Sequence, residues 1–335
     1  MITETIAELP AVTTSQRDQI LAAPRTQAAH REFLNTLPAM NTVELGGQPK
    51  SRALPETFSI AAWNVERCLF PEESAEHLQD IAPDLVLLSE MDHGMSRTSQ
   101  VHTTREFASH MGMQYAYGVE FFEMGLGGPT EREFCRDDFN ELGWHGNAIL
   151  SSVPMLRTAM VRLDQTGHWF CEASGADDTE QPRIGGRMAL LAELPVQNGT
   201  ITVVSTHLES NADGPYRERQ FEILLNAIDD FAPSGPVLIG GDLNTGNHVP
   251  PDFDWRQEGL FALSEKQGYS WDFTAPGYST RASLISPHPD RVMKLDWIAG
   301  RGFNCLDKGI KVSLGKDEKP LSDHDLVWAR VGLVP

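Results

Sequence analysis

The chain has 335 residues, 40% of them hydrophobic and 22% charged, with a formal net charge of −20. This composition fits a soluble globular protein of one large or two ordinary domains, long enough to bury a sizeable core. The acidic balance weighs against non-specific attraction to nucleic acid or to an anionic membrane, and no apolar run is long enough to span a bilayer.

The first residues carry acids where a signal peptide would carry positive charge, so a cytoplasmic location is the default expectation. The four cysteines lack ligand-like spacing and predict neither a disulfide framework nor a zinc site. Residues 1–54 read as an N-terminal extension, partly helical. Thr14 and Ser15 can cap a helix through Ile20 and Leu21, and a second helix fits 27–37 before Pro38 and the Gly46-Gly47 pair break the pattern. No chemistry is evident there.

The organised domain, 55–335, opens on an apolar run from Phe58 that ends in Asn64 and Glu66. A helix is expected over 71–81, then a second strand from Leu85 that carries Glu90 near its end, then a helix over 104–111. Residues 121–143, Gly-rich and acidic, read as a loop or insertion over one face. A strand returns at Trp144 with His145 and Asn147 at its entry, and 164–182 read as a second acidic loop. Arg183 and Arg187 precede the apolar run 188–194. Asn198-Gly199 signals a hairpin into a β-branched strand ending at His207. Helical periodicity covers 216–231, with Phe221, Leu224, Leu225 and Ile228 on one face.

Val237, Leu238 and Ile239 then form a buried strand that Gly240 and Gly241 terminate, delivering Asp242 and Asn244 into an open site. A carboxylate there offers acceptors to a water or a hard cation, and an amide two residues on offers donors to an anionic oxygen. Asp296 lies in another short strand, and Asp323 and His324 precede the last one. Singly, each locus has a plainer reading: a solvated Asx turn for Asp242, a satisfied core histidine for His207, a surface ion pair for Asp296. Their joint order is what carries information.

The pieces Trp63-Asn64-Val65-Glu66, Leu88-Ser89-Glu90, Gly146-Asn147, Thr206-His207-Leu208, Gly241-Asp242-Leu243-Asn244, Leu295-Asp296-Trp297 and Ser322-Asp323-His324 occur in the order that resembles the endonuclease/exonuclease/phosphatase superfamily. The resemblance spans about residues 58–331 and leaves the extension outside it. It implies a four-layer α/β sandwich, two packed sheets flanked by helices, with the site at one edge. It also implies a divalent-metal-dependent phosphoesterase using Mg2+ or Mn2+. Glu90 is then the leading metal ligand, with Glu66, Asn64 and Asp323 nearby. Zinc fits less well, because the available donors are mostly oxygen.

By the same resemblance Asp242 orients or deprotonates the attacking water, and Asn244 holds it or a phosphoryl oxygen. Asp296 pairs with His324 to keep the imidazole charged, a role that such a pair suits physically in any fold. His207 donates to a phosphate oxygen or to the leaving group. Asn147, His145 and Arg187 are the candidates for contacting substrate, with Arg183, Arg291 and Lys294 as further cations. Thr-His-Leu at 206–208 matches the deoxyribonuclease, sphingomyelinase and 5-phosphatase branches rather than the apurinic/apyrimidinic endonucleases. The expected substrate is a small or lipid-derived phosphodiester or phosphomonoester. A nuclease is the alternative, which a continuous basic groove would favour, and a catalytically dead scaffold is a lesser one, since no catalytic position is substituted.

Overall fold

Two mixed β-sheets pack face to face with helices on their outer surfaces, in the computed structural model that describes residues 1–171, 182–249, 253–288, 290 and 292–334. The first half of the chain holds β1 (Thr5–Ile6), α1 (Thr14–Ala22), α2 (Gln27–Thr36), β2 (Val43–Gly47), β3 (Thr57–Arg67), α3 (Pro71–His77), β4 (Leu85–His93), α4 (Thr103–Met111), β5 (Gln114–Glu123), α5 (Pro129–Arg132) and β6 (Trp144–Ser151). Then come β7 (Arg157–Arg162), β8 (Arg183–Gly185), β9 (Met188–Val196), β10 (Gly199–His207), α6 (Gly214–Phe231), β11 (Val237–Asp242) and α7 (Gly259–Glu265). The chain closes with β12 (Asp296–Arg301), β13 (Phe303–Lys311) and β14 (Leu326–Leu333).

The larger sheet runs β1-β2-β5-β6-β4-β3-β14-β13 with β8 beside β5, and the smaller runs β12-β11-β10-β9-β7. Alternation builds the layers. In β3, Ile60 and Ala62 enter the core between the sheets, while Ala61, Trp63 and Val65 face the helical side. The inter-sheet core joins Leu85, Leu87 and Ile149 to Leu190, Ala192, Val203 and Leu238. The apolar stripe of α6 (Phe221, Leu224, Leu225, Ile228) covers the other face of the smaller sheet, against Leu191, Val204 and Ile239. The four-layer α/β sandwich is thereby observed.

Several elements differ from expectation. Residues 121–123 are the end of β5 rather than loop, and α5 sits inside the 121–143 segment. The reason is that β5 is buried along nearly its whole length and carries Glu120 and Glu123 inside, so its acids read as loop although buried cations pair them. Helix α3 stops at His77, short of the expected 81. Residues 172–181 of the expected second acidic loop, and Arg291, lie outside the described residues. Residues 1–54 are woven into the domain: β2 pairs antiparallel with β5, and Ile20, Leu34 and Met40 share a core with Trp63 and Leu88.

Three β-bulges line up at one end of the larger sheet, at Asn64/Arg67 in β3, Leu88/Met91 in β4 and Val119/Phe121 in β5. Each falls on or beside a glutamate, namely Glu66, Glu90 and Glu120. An extra residue bends the strand and re-aims its side chain, so the bulges turn acids away from regular pleat positions. Glu66 (φ +43°) and Glu90 (φ +61°) hold left-handed backbone, a strain that persists where surrounding structure over-determines it. On β11, Gly241 is required for a different reason: at φ +147° a Cβ would lie 1.8 Å from the Thr206 carbonyl oxygen.

Candidate active site

Strand ends from both sheets converge around Asp242, which is 1% exposed. Its Oδ1 accepts the Asn244 backbone N–H at 2.8 Å and its Oδ2 accepts Asn64 Nδ2 at 3.0 Å. His207 and His324 each bring Nε2 to 3.6 Å from the same Oδ2. That separation is too long for a direct hydrogen bond; it leaves His324 Nε2 to an oxygen that enters the site, whereas His207 Nε2 also lies 3.1 Å from Arg187 Nη1.

Each histidine has its own carboxylate. His324 Nδ1 donates to Asp296 Oδ2 at 2.7 Å. Burial alone would hold this ring neutral, but Asp296, Asp242 and Asp323 outweigh it and raise its pKa well above the ordinary value. Burial in turn pushes the Asp296 carboxyl up to about 6, against the pull of His324. The turn carrying His324 is pinned to β3: Trp63 Nε1 donates to the His324 carbonyl at 2.8 Å, and Ser322 Oγ donates to the Asn64 carbonyl at 2.7 Å. The serine of the Ser322-Asp323-His324 motif thus positions it.

His207 is paired with Glu120, which the sequence reading did not single out; Nδ1 and Oε2 are 3.3 Å apart. Arg187 lies against both, 2.8 Å from Glu120 Oε1 and 2.8 Å from His207 Nδ1, and also reaches Glu209 and Ser210. Burial works against the Glu120 anion, yet Arg187 and His207 hold its pKa down at about 2. A charged residue in the otherwise apolar Tyr117–Phe122 run was the available signal.

The four expected metal ligands fall into two groups. Asn64 Nδ2 also donates to Glu90 Oε1 at 3.1 Å, while Glu90 Oε2 is ion-paired with Arg67, which in turn binds Glu131 of α5 at 2.9 Å. Glu66 turns instead toward Ser283, whose hydroxyl donates to Oε1 at 2.6 Å. Burial, then the neighbouring Asp323 charge, pushes the Glu66 carboxyl up to about 8. The structure does not gather Glu66, Glu90 and Asp323 into one tightly spaced set; the closely spaced trios of possible ligands among the described residues are Asp242/Asp296/His324 and Glu44/His93/His102. The all-oxygen donors Glu66, Asp323, Glu90 and Asn64 nevertheless suit a hard divalent cation, and two like-charged buried carboxylates are a pair that such an ion neutralises.

The remaining candidates are placed as follows. Asn244 sits at φ +49° with its Nδ2 on the Leu208 carbonyl (3.0 Å) and its Oδ1 on Asn247 (2.7 Å), so its side chain braces the loop. Asn147 is fully buried on β6, its Nδ2 3.3 Å from the Met188 carbonyl and its Oδ1 without a protein partner. His145 Nδ1 meets Asp92 Oδ1 at 2.8 Å, and Asp92 also takes both arms of Arg97. Arg187, engaged on every side, is a framework cation in this geometry. Arg183 pairs with Glu123 at 3.1 Å, and the Lys294 ammonium sits 4.3 Å from the Trp297 ring centroid.

A sandwich of this kind, with carboxylate–imidazole pairs and amides at its strand ends, defines a class whose members are generally metal-dependent hydrolases of phosphoester bonds. The chain belongs to the endonuclease/exonuclease/phosphatase family, whose sequence model matches residues 61–324. Among solved structures it is similar to an endonuclease/exonuclease/phosphatase from Beutenbergia cavernae, with a TM-score of 0.59 and 16% identity over 83% of this chain and 72% of that one. The human Nocturnin catalytic domain with bound sulfate anion aligns with a TM-score of 0.56 and 16% identity, over 87% of this chain and 98% of that one. D. rerio TDP2 complexed with single strand DNA product gives 0.53 and 16%, over 82% and 99%. At such identities the likeness speaks for the fold. No curated protein matches the chain. Among the described residues no helix is long and apolar enough to cross a membrane.

Proposed function

We propose that this chain hydrolyses a phosphodiester or phosphomonoester of a small or lipid-derived substrate, by in-line attack of an activated water. The observation that carries this reading is Asp242 set 3.6 Å from two imidazoles, each backed by its own buried carboxylate. A base between two oriented proton donors suits attack at phosphorus, where one group must take up a proton while others meet developing negative charge.

In this reading Asp242 accepts the water's proton, its carboxylate fixed by Asn64 and by the Asn244 backbone. His324, charged because of Asp296, donates Nε2–H to a phosphoryl oxygen. His207, oriented by Glu120 and Arg187, faces the same space and donates to the leaving oxygen. Glu90, Asn64, Glu66 and Asp323 would hold Mg2+ or Mn2+, which when bound neutralises phosphoryl charge. Asn147 and His145 line the β6 side, and the Glu131 helix of the 121–143 segment closes over Arg67 and shapes entry.

The test is hydrolysis of bis(p-nitrophenyl) phosphate and p-nitrophenyl phosphate with EDTA, magnesium, manganese or calcium, beside His324→Ala and Glu90→Ala. Metal-dependent turnover lost in both variants supports the reading, and turnover that survives His324→Ala sinks it. A second reading, a metal-dependent nuclease, draws on the similarity to TDP2 solved with single strand DNA product. Cleavage of single-stranded DNA under the same metals, at rates above those for the small esters, would favour it.

A further inference from the structure

A cleft of about 600 Å³ opens beside the Asp296–His324 end of the site, walled by residues 253–257, 276–278 and 292–294. Chain connectivity puts it there. Tyr278 precedes Ser279, whose Oγ accepts the Asp296 backbone N–H at 3.1 Å, and Thr280 forms a backbone bridge with His324. On the opposite wall Lys294 stands two residues before Asp296, and its carbonyl accepts Thr245 Oγ1 at 2.7 Å, three residues past Asp242. Two residues of chain span at most ~7 Å, so the cleft adjoins the reacting end.

Its lining is unusual for a surface this acidic. Tyr278 is 62% exposed and Phe253 56%, large rings left in water at a concave position. Trp255, half-buried, has the Arg256 guanidinium 4.9 Å and the Lys294 ammonium 5.5 Å from its centroid. Exposed rings beside the exposed Arg256 guanidinium match a ligand that is flat, aromatic and joined to an anion. A lipid chain would be better served by an apolar trough without cations. A long nucleic acid would need a continuous basic surface, whereas Arg256 is paired with Asp254 at 3.0 Å, the Lys294 ammonium donates to the Ala275 carbonyl at 2.9 Å, and the net charge is −20. A single nucleotide unit satisfies both conditions.

We propose that this cleft is a subsite that stacks the nucleobase of a nucleotide ester against Phe253, Trp255 and Tyr278 while the phosphorus lies at Asp242 and His324. The proposal rests on the phosphoesterase reading and narrows its substrate class. Arg256 extends the stacking surface, and Lys294, buried with its ammonium on the Ala275 carbonyl at 2.9 Å, backs the Trp255 ring.

Titration calorimetry with adenosine 5′-monophosphate and with ribose 5-phosphate, in EDTA and in magnesium, tests it without relying on turnover. The nucleotide is expected to bind the wild type at least about 10-fold more tightly, and Tyr278→Ala or Phe253→Ala to reduce that ratio by about 5- to 100-fold, as expected for loss of base stacking. Tyr278→Phe should retain the ratio, because it keeps the ring. Equal affinity for the two ligands, or a ratio indifferent to these variants, overturns the subsite. So does variant-sensitive binding to phosphatidylcholine vesicles without any preference for the nucleotide, which would make the rings a bilayer contact. Loss of bis(p-nitrophenyl) phosphate turnover with the nucleotide preference intact would fail the hydrolase reading alone. An absent preference with turnover intact would fail the subsite alone.

Discussion

Two buried clusters in this molecule are built from the same side chains and behave in opposite ways. At the strand ends, His324 sits among Asp296, Asp242 and Asp323, and its pKa rises well above the usual histidine value despite burial. Some way along the same sheet, Glu44 of β2 binds His102 at 2.8 Å while His93 stacks on His102 with ring centroids 3.8 Å apart. There burial, then the neighbouring His102, drives His93 down to about 3, and burial lowers His102 as well. Glu44 is held at about 2 although burial opposes its charge, because His102, the Leu9 N–H and Tyr115 all donate to it. The lesson is in the ratio of charges. Three carboxylates around one imidazole keep it charged and ready to donate, whereas one ionised, fully occupied carboxylate under two stacked rings leaves those rings neutral in a structural knot.

The largest test of that contrast is catalytic. His324→Ala should lower turnover of bis(p-nitrophenyl) phosphate by roughly 10²–10⁴-fold, the range for a lost proton donor, while His93→Leu should leave turnover per folded molecule intact. Glu120→Gln should come next, at roughly 10–100-fold, the usual cost of losing the partner that orients a site imidazole; thermal unfolding near the wild-type temperature would separate this from collapse. In the knot, Glu44→Gln should cost about 2–3 kcal/mol of stability by urea unfolding, since several buried donors lose a charged acceptor. If it abolished turnover without loss of stability, the two clusters would not be separable.

The smallest effects are in pH dependence, with opposite signs. His93 has a folded pKa below its unfolded value, so between pH 6.5 and about 3 the unfolded chain binds a proton that the native one lacks. Stability therefore falls as pH drops through that window, and Glu44 adds to the loss from about 4.5 toward 2. His324 has a raised folded pKa, so its contribution is fully present below 6.5 and is lost as pH rises through the folded value. Denaturant titrations across pH should show a shallower acid slope for His93→Leu. For turnover, Asp296→Asn should move the alkaline limb of the pH–rate profile to lower pH, and an unmoved limb would break the assigned role.

Much of this was legible before any fold was known. The Asp242 strand, the apolar face of α6 and each of the seven polar loci lie in short stretches of chain, and the family that their order resembles implied the Asp296–His324 pair. Glu120 was not legible, because an acid within β5 finds its partners, His207 and Arg187, 87 and 67 residues away. Nor was the division of Glu66 from Glu90, which depends on Arg67 and Ser283. The first 54 residues read as an appendage because their pairing with β5 has no local signature.

What the sequence determined by itself was therefore the alternation that makes two-faced strands, the caps and breaks of the helices, and the residue types that the chemistry needs. Those are properties of a few neighbouring residues, set by sterics, periodicity and side-chain acidity. Tertiary structure alone decided that His207 meets Glu120, which acids the three aligned bulges turn, and that burial drives the pKa values of His93 and His102 down. Bulges are mismatches of register between strands, and pKa values follow from distances and burial, so neither is a property of any single stretch of chain.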